Sequence, residues 1–66
     1  MFIVVTSTED RRVAIPVAEI TSVYETKDGC KVILRPTGSY PVWVESKTNF
    51  IDLIVMLREL TEKVVL

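Results

Sequence analysis

"ITSVYETKDGCKVILR", residues 20–35, decides how this chain folds. Two runs rich in Val, Ile, Thr and Tyr flank Asp28-Gly29, a pairing that marks a β-hairpin. Two registers compete. A two-residue type I′ turn pairs Lys27 with Cys30. A three-residue loop, with Gly29 in the left-handed region, pairs Thr26 with Cys30. Cross-strand chemistry favours the second. It sets Glu25 opposite Lys31, Tyr24 opposite Val32 and Val23 opposite Ile33, each pair worth about 0.2–1 kcal/mol. Side chains alternate with period 2, so this register places Ile20, Ser22, Tyr24, Val32 and Leu34 on the core face. Thr21, Val23, Glu25, Lys31, Ile33 and Arg35 then take the other face.

Working outward, the same β-rich composition continues on both sides. Strands are expected over residues 2–6, 12–17, 20–26, 30–35 and 40–45, with a polar turn at "STEDR" (7–11). Pro16 cannot donate to a ladder, so the second strand is an edge or ends there. In "YPVWVE" (40–45) the valines Val42 and Val44 point inward, which leaves Trp43 outward, at a position suited to a contact. The remainder reads as one helix over 47–62, with Ser46 as N-cap and Thr48 as its competitor. Glu59 and Lys63 form an i,i+4 pair. The expected architecture over residues 1–66 is one α+β domain, an antiparallel meander of four or five strands with a C-terminal helix on one face.

That helix carries more apolar surface than one sheet can hide. Phe50, Leu53, Leu57, Leu60 and Val64 form a stripe. Ile51, Ile54 and Val55 form a flank beside it, and Met56 adjoins the wet band near Asp52, Glu59 and Lys63. Stripe and flank span roughly 200° of circumference, about twice the ~100° that docking on a sheet needs. The tail "VVL" (64–66) covers little of it. A second copy is the simplest cover. Burying about 400 Å² per subunit is worth about 10 kcal/mol by area before association costs. The chain is therefore expected to be a homo-oligomer, a dimer first, with Trp43, Ile51, Ile54, Val55 and Met56 as the interface.

Size points the same way. A chain of 66 residues buries only roughly 60% of its unfolded surface, and small domains of this kind often need reinforcement. Cys30 is the single cysteine and there is no histidine, so neither an internal disulfide nor a zinc site is expected, and no cofactor. The initial apolar run is five residues, Met1 to Val5, without a basic region before it, so no signal peptide is read. The longest apolar run of the helix, Leu53 to Leu57, falls far short of the ~20 residues needed to cross a bilayer, and no membrane insertion is expected. A cytoplasmic location follows, with which a lone free cysteine agrees.

Composition argues against catalysis. Histidine, the commonest general base, is missing. Ser22 or Ser39 would need an unusual partner to act as a nucleophile. Lys27 and Lys31 flank Cys30 and would lower its pKa, but the simpler reading is a small residue at a strand start. Glu9-Asp10 beside Arg11-Arg12 reads as a solvated turn. "RPTGSY" (35–40) has one glycine and no phosphate-loop pattern. The net charge of −1 lacks the basic excess of most nucleic-acid binders. Arg11, Arg12, Lys31 and Arg35, with Lys27 and Lys47, would serve nucleic acid only by gathering at a sheet edge beside Tyr40 or Trp43. The alternative is that they are ordinary solvated side chains.

The order of elements, with "AEITSVYET", a DG turn, "KVILRPTG", "YPVWVES" and an apolar helix, resembles the FlbD-type flagellar accessory proteins, also called the SwrD family. Ile20, Val23, Val32, Leu34, Gly38, Val42, Val44, Glu45 and Ser46 carry the resemblance, which spans most of the chain. Small uncharacterised proteins of bacteria and their phages share the outline. The first turn, the longer "RPTGSYP" loop and the more apolar helix depart from the pattern. The resemblance implies a non-enzymatic accessory role and carries no catalytic residue. The expected function is thus a small interaction module acting through self-association and protein binding, with a nucleic-acid-binding regulator as the alternative.

Overall fold

The computed structural model describes residues 1–37 and 40–61. Five strands and one helix follow in order: β1 (Phe2–Thr6), β2 (Arg12–Pro16), a 3-10 turn (Val17–Glu19), β3 (Ile20–Thr26), β4 (Gly29–Thr37), β5 (Tyr40–Ser46) and α1 (Phe50–Thr61). The fold is α+β, and every strand pairing is antiparallel. The strands divide into a β1–β2 ribbon and a β3–β4–β5 meander instead of forming one sheet. A bridge between Ser7 and Ser46 joins the two corner to corner. There Thr8 N–H donates to Glu45 C=O (3.1 Å) and Lys47 N–H to Thr6 C=O (2.9 Å).

The β1–β2 turn is a three-residue loop. Ser7 N–H donates to Arg11 C=O and Asp10 N–H to Ser7 C=O, and Asp10 takes the left-handed conformation at φ 63°. Asp is among the few non-glycine residues that tolerate it. The loop type expected at Asp28-Gly29 therefore occurs here.

At the β3–β4 turn the register differs from both alternatives read from the sequence. Thr26 pairs with Gly29 across a two-residue turn, Lys27-Asp28, so Glu25 faces Cys30, Tyr24 faces Lys31 and Val23 faces Val32. The physical reason lies outside the hairpin. This register aligns Val23, Val32 and Val44 in one inward row, and burying that row outweighs one exposed Glu–Lys pair. It also brings Gly29 against the end of β5, where a Cβ would lie 2.0 Å from Ser46 O. Gly29 is needed for that close approach and not for a left-handed turn. The faces of β3 change accordingly. Val23 and Glu25 share the inward side with Cys30, whereas Ser22 and Tyr24 join Lys31 and Ile33 outside, and Tyr24 is exposed. A bulge between Ile20 and Ser22 returns Ile20 to the inner side opposite Leu34, as bulges do by inserting one unpaired residue.

The core gathers Ile3 and Val5 of β1, Ile15 of β2, Cys30 and Val32 of β4, and Leu53 of α1. The helix supplies its centre because Leu53 is fully buried, with Phe50, Met56, Leu57 and Leu60 packed around it. Helix 47–62 proves shorter at its start than its sequence reading, and its cap is Asn49, not Ser46 or Thr48. Asn49 Oδ1 accepts from Ile51 N–H (2.9 Å) and Asp52 N–H (3.3 Å), which satisfies two of the orphan donors of a helix start. Ser46 is still a β5 residue. Its hydroxyl donates to Thr6 C=O at 3.1 Å and accepts from Thr48 N–H at 3.0 Å. Asp52 in the first turn and Arg58 in the last suit the helix dipole. Lys63, Val64 and the 64–66 tail lie outside the described residues, as do Gly38 and Ser39.

Candidate interaction surfaces

Among the described residues, three apolar surfaces stand out on the outside. The first is the flank of α1. With Leu53 drawn fully into the core, Ile51, Ile54 and Val55 remain 61%, 38% and 46% exposed. Met56, read from the sequence as an interface residue adjoining the wet band, is half-buried against the core instead. It sits three residues from Leu53, on the docking side of the helix.

The second surface is the outer face of the meander. Two cross-strand rows form it, Tyr24–Lys31–Glu45 and Ser22–Ile33–Trp43. Trp43 points outward as the alternation of β5 requires and is half exposed. The Lys31 ammonium stands 4.5 Å from the centre of its ring, within the range of a cation–π contact. Between Trp43 and the β1–β2 turn runs an open groove of about 600 Å³, to which Glu9, Arg11 and Glu45 contribute.

The third surface was not singled out in the sequence. Phe2 and Val4 lie on the outer face of the β1–β2 ribbon opposite Pro16 and Ala14, and both are well exposed. The signal was available. Ile3, Val5 and Ser7 are buried and Phe2, Val4 and Thr6 are not, a strict period of two.

Arg11, Arg12, Lys31, Arg35 and Lys47 are distributed over several elements, each near an acidic group or on its own face. Arg35 pairs with Glu19 at 3.5 Å and donates to Ala18 C=O at 3.4 Å. Lys47 pairs with Asp10. Lys31 lies opposite Glu45 in the ladder, and Arg11 shares its groove with Glu9 and Glu45. Arg12 projects from the ribbon opposite Thr6. Lys31 stands over Trp43, and Arg11 lines the same groove as Trp43.

Cys30 is fully buried at the junction of β4 and β5. Burial pushes its thiol above the ordinary value, and the neighbouring Ser46 hydroxyl pulls weakly the other way. The flanking lysines do not activate it. A thiol held neutral is a poor nucleophile. Because the folded-state value is raised, stability is fully present below the unfolded thiol's ordinary value of 9.0 and falls as pH rises through the folded one. Urea midpoints should therefore decline more steeply above about pH 9 in the parent than in Cys30→Ala. Parallel slopes would contradict the buried, neutral thiol.

Among the described residues no cluster of three or more His, Cys, Asp and Glu side chains is placed to hold a metal ion. No described helix is long and apolar enough to cross a membrane. No family model, curated protein or solved structure matches this chain.

Proposed function

We propose that this chain is a small non-enzymatic interaction module that self-associates through the α1 flank and presents its remaining surface to another protein. The observation that carries the reading is the contrast along one helix. Leu53 is fully buried while Ile51, Ile54 and Val55, beside it, stand exposed together. A contiguous apolar helix face is costly to leave in water and marks a contact site. The resemblance to flagellar accessory proteins favours the same class of task, and a cytoplasmic setting accords with a free buried cysteine.

Ile51→Glu and Ile54→Glu test it. Both positions are exposed in the single chain, so the monomer should keep its helical signal and melt within about 0.5 kcal/mol of the parent. Each charge buried unpaired in a contact should weaken association by about tenfold or more. Variants that associate as the parent does would remove the flank from the interface.

A second reading has one observation in its favour. Tyr24, Trp43 and Lys31 share one sheet face, the elements of a stacking platform. The pI of about 5.3 and the placement of Glu45 beside Lys31 weigh against it. Retention on heparin that collapses with salt would favour this nucleic-acid reading.

A further inference from the structure

We propose that the second copy adds along the open edge of β1, pairing antiparallel with its mate about a two-fold axis at Ile3. The inference rests on the self-association reading and names the seam through which it occurs.

The hydrogen-bond parity of the ribbon leads there. Ser7 N–H donates to Arg11 C=O at 2.7 Å and Val17 N–H to Met1 C=O at 3.0 Å. Combined with the register Phe2↔Pro16 to Thr6↔Arg12, these bonds turn the backbone groups of Ile3 and Val5 toward β2. Those of Phe2, Val4 and Thr6 face away. The Thr6 carbonyl is taken by Lys47 N–H. Phe2 and Val4 present a donor and an acceptor each, with no partner among the described residues.

The other edges are guarded in ways that β1 is not. By the same parity Arg12, Ala14 and Pro16 face out of β2. By the parity of the Thr8–Glu45 and Lys47–Thr6 bonds, Pro41 and Trp43 face out of β5. A proline at an outward position removes a donor, and a charge discourages a guest strand, the usual protections of an edge. β3 carries its bulge and packs against α1. The β1 edge has no proline, no charge and no bulge.

Self-pairing about Ile3 matches every free group of Phe2 and Val4. Phe2 N–H meets Val4 C=O of the second copy and Val4 N–H meets Phe2 C=O, with the symmetric pair completing four hydrogen bonds. Lys47 closes the edge at Thr6, so a long guest strand would collide with it. The second copy is closed at the same point by its own Lys47, and the two short free stretches are equal in length and matched in register. Phe2 then lies beside Val4 of the second copy on the outer face. A two-fold axis normal to the sheet keeps both helices on one side of the joined strands. The chain enters α1 from this edge, since Lys47 pairs with Thr6 and Asn49 caps the helix.

Areas require such a combination. A stable dimer of standard size buries about 800 Å² per partner. An aromatic side chain supplies about 150–250 Å². The three aliphatic flank residues, smaller and partly covered, fall well short alone. The strand seam with Phe2 and Val4 adds the area that they lack.

Backbone amide exchange on the intact chain, at associating and at dilute concentrations, reads the seam. Ile3 and Val5, bonded to β2, should be protected at both. Phe2 and Val4 should exchange about tenfold or more slowly in the associated state and lose that protection on dilution. Val4→Pro, tolerable at an outward edge position, should weaken association by about tenfold or more, because two hydrogen bonds per dimer disappear. If it disturbs the fold, seen as lost Ile3 protection, Phe2→Lys must produce the weakening instead. Fast Phe2 and Val4 amides in an associated chain would overturn the seam and leave the Ile54 contact standing. A chain that never associates would overturn both.

Discussion

Gly29→Ala should cost roughly 3 kcal/mol or more and lower the melting temperature by on the order of 10–20 °C. A Cβ at this position lies 2.0 Å from Ser46 O and 2.9 Å from the Lys47 carbonyl carbon. Both are backbone atoms, so no side chain can rotate away. Making room means parting the end of β5 from β4, where Ser46 also receives the bridge from Ser7 and bonds Thr6. A domain of this size is stable by only about 0.05–0.15 kcal/mol per residue. The loss is therefore a large share of the total, and the variant should be partly unfolded at 37 °C. Urea titration followed by circular dichroism measures it. A midpoint within about 0.5 kcal/mol of the parent would mean that the β4–β5 junction is not packed as described.

Leu53→Ala should be comparably damaging, at about 2–5 kcal/mol. Leu53 is the fully buried residue of α1 and meets core residues from β1, β2 and β4. Truncating it opens a cavity where the helix meets core residues of both sheets, although Phe50, Met56, Leu57 and Leu60 still pack there. Ile51→Ala, two residues away and on the opposite side, should change the stability of the monomer by no more than about 0.5 kcal/mol. The difference between the two variants reads helix orientation directly. Equal losses would rule out the orientation in which Leu53 is buried and Ile51 exposed.

The helix face was legible in the sequence because a 3.6-residue period is local. Leu53, Leu57 and Leu60 face the core, and Ile51, Ile54 and Val55 do not. Strand positions and the outward Trp43 followed from alternation for the same reason. Three details depended on distant residues and were not legible. Ser46 is a good cap by type, but it is held in β5, where Lys47 N–H after it bonds the distant Thr6 C=O and keeps the chain extended. The cap therefore passed to Asn49. The hairpin register looked like a choice between charge pairs, yet it is set by the Val23–Val32–Val44 row and by the space beside Gly29. Met56 adjoined the wet band on a helical wheel, yet it packs against the core that strands of both sheets build. The open edge of β1 needed the hydrogen-bond parity of the folded ribbon, which sequence alternation alone does not supply.

The interaction reading stands on apolar surface that a single chain leaves uncovered, so its mass in solution decides most. Light scattering on a size-exclusion column, over a dilution series, should give two chains of 7.5 kDa at high concentration and a concentration-dependent return to one. Ile54→Glu should elute as one chain throughout. A parent of one chain at every concentration would contradict self-association, and with it both the helix flank and the β1 edge as contacts between copies.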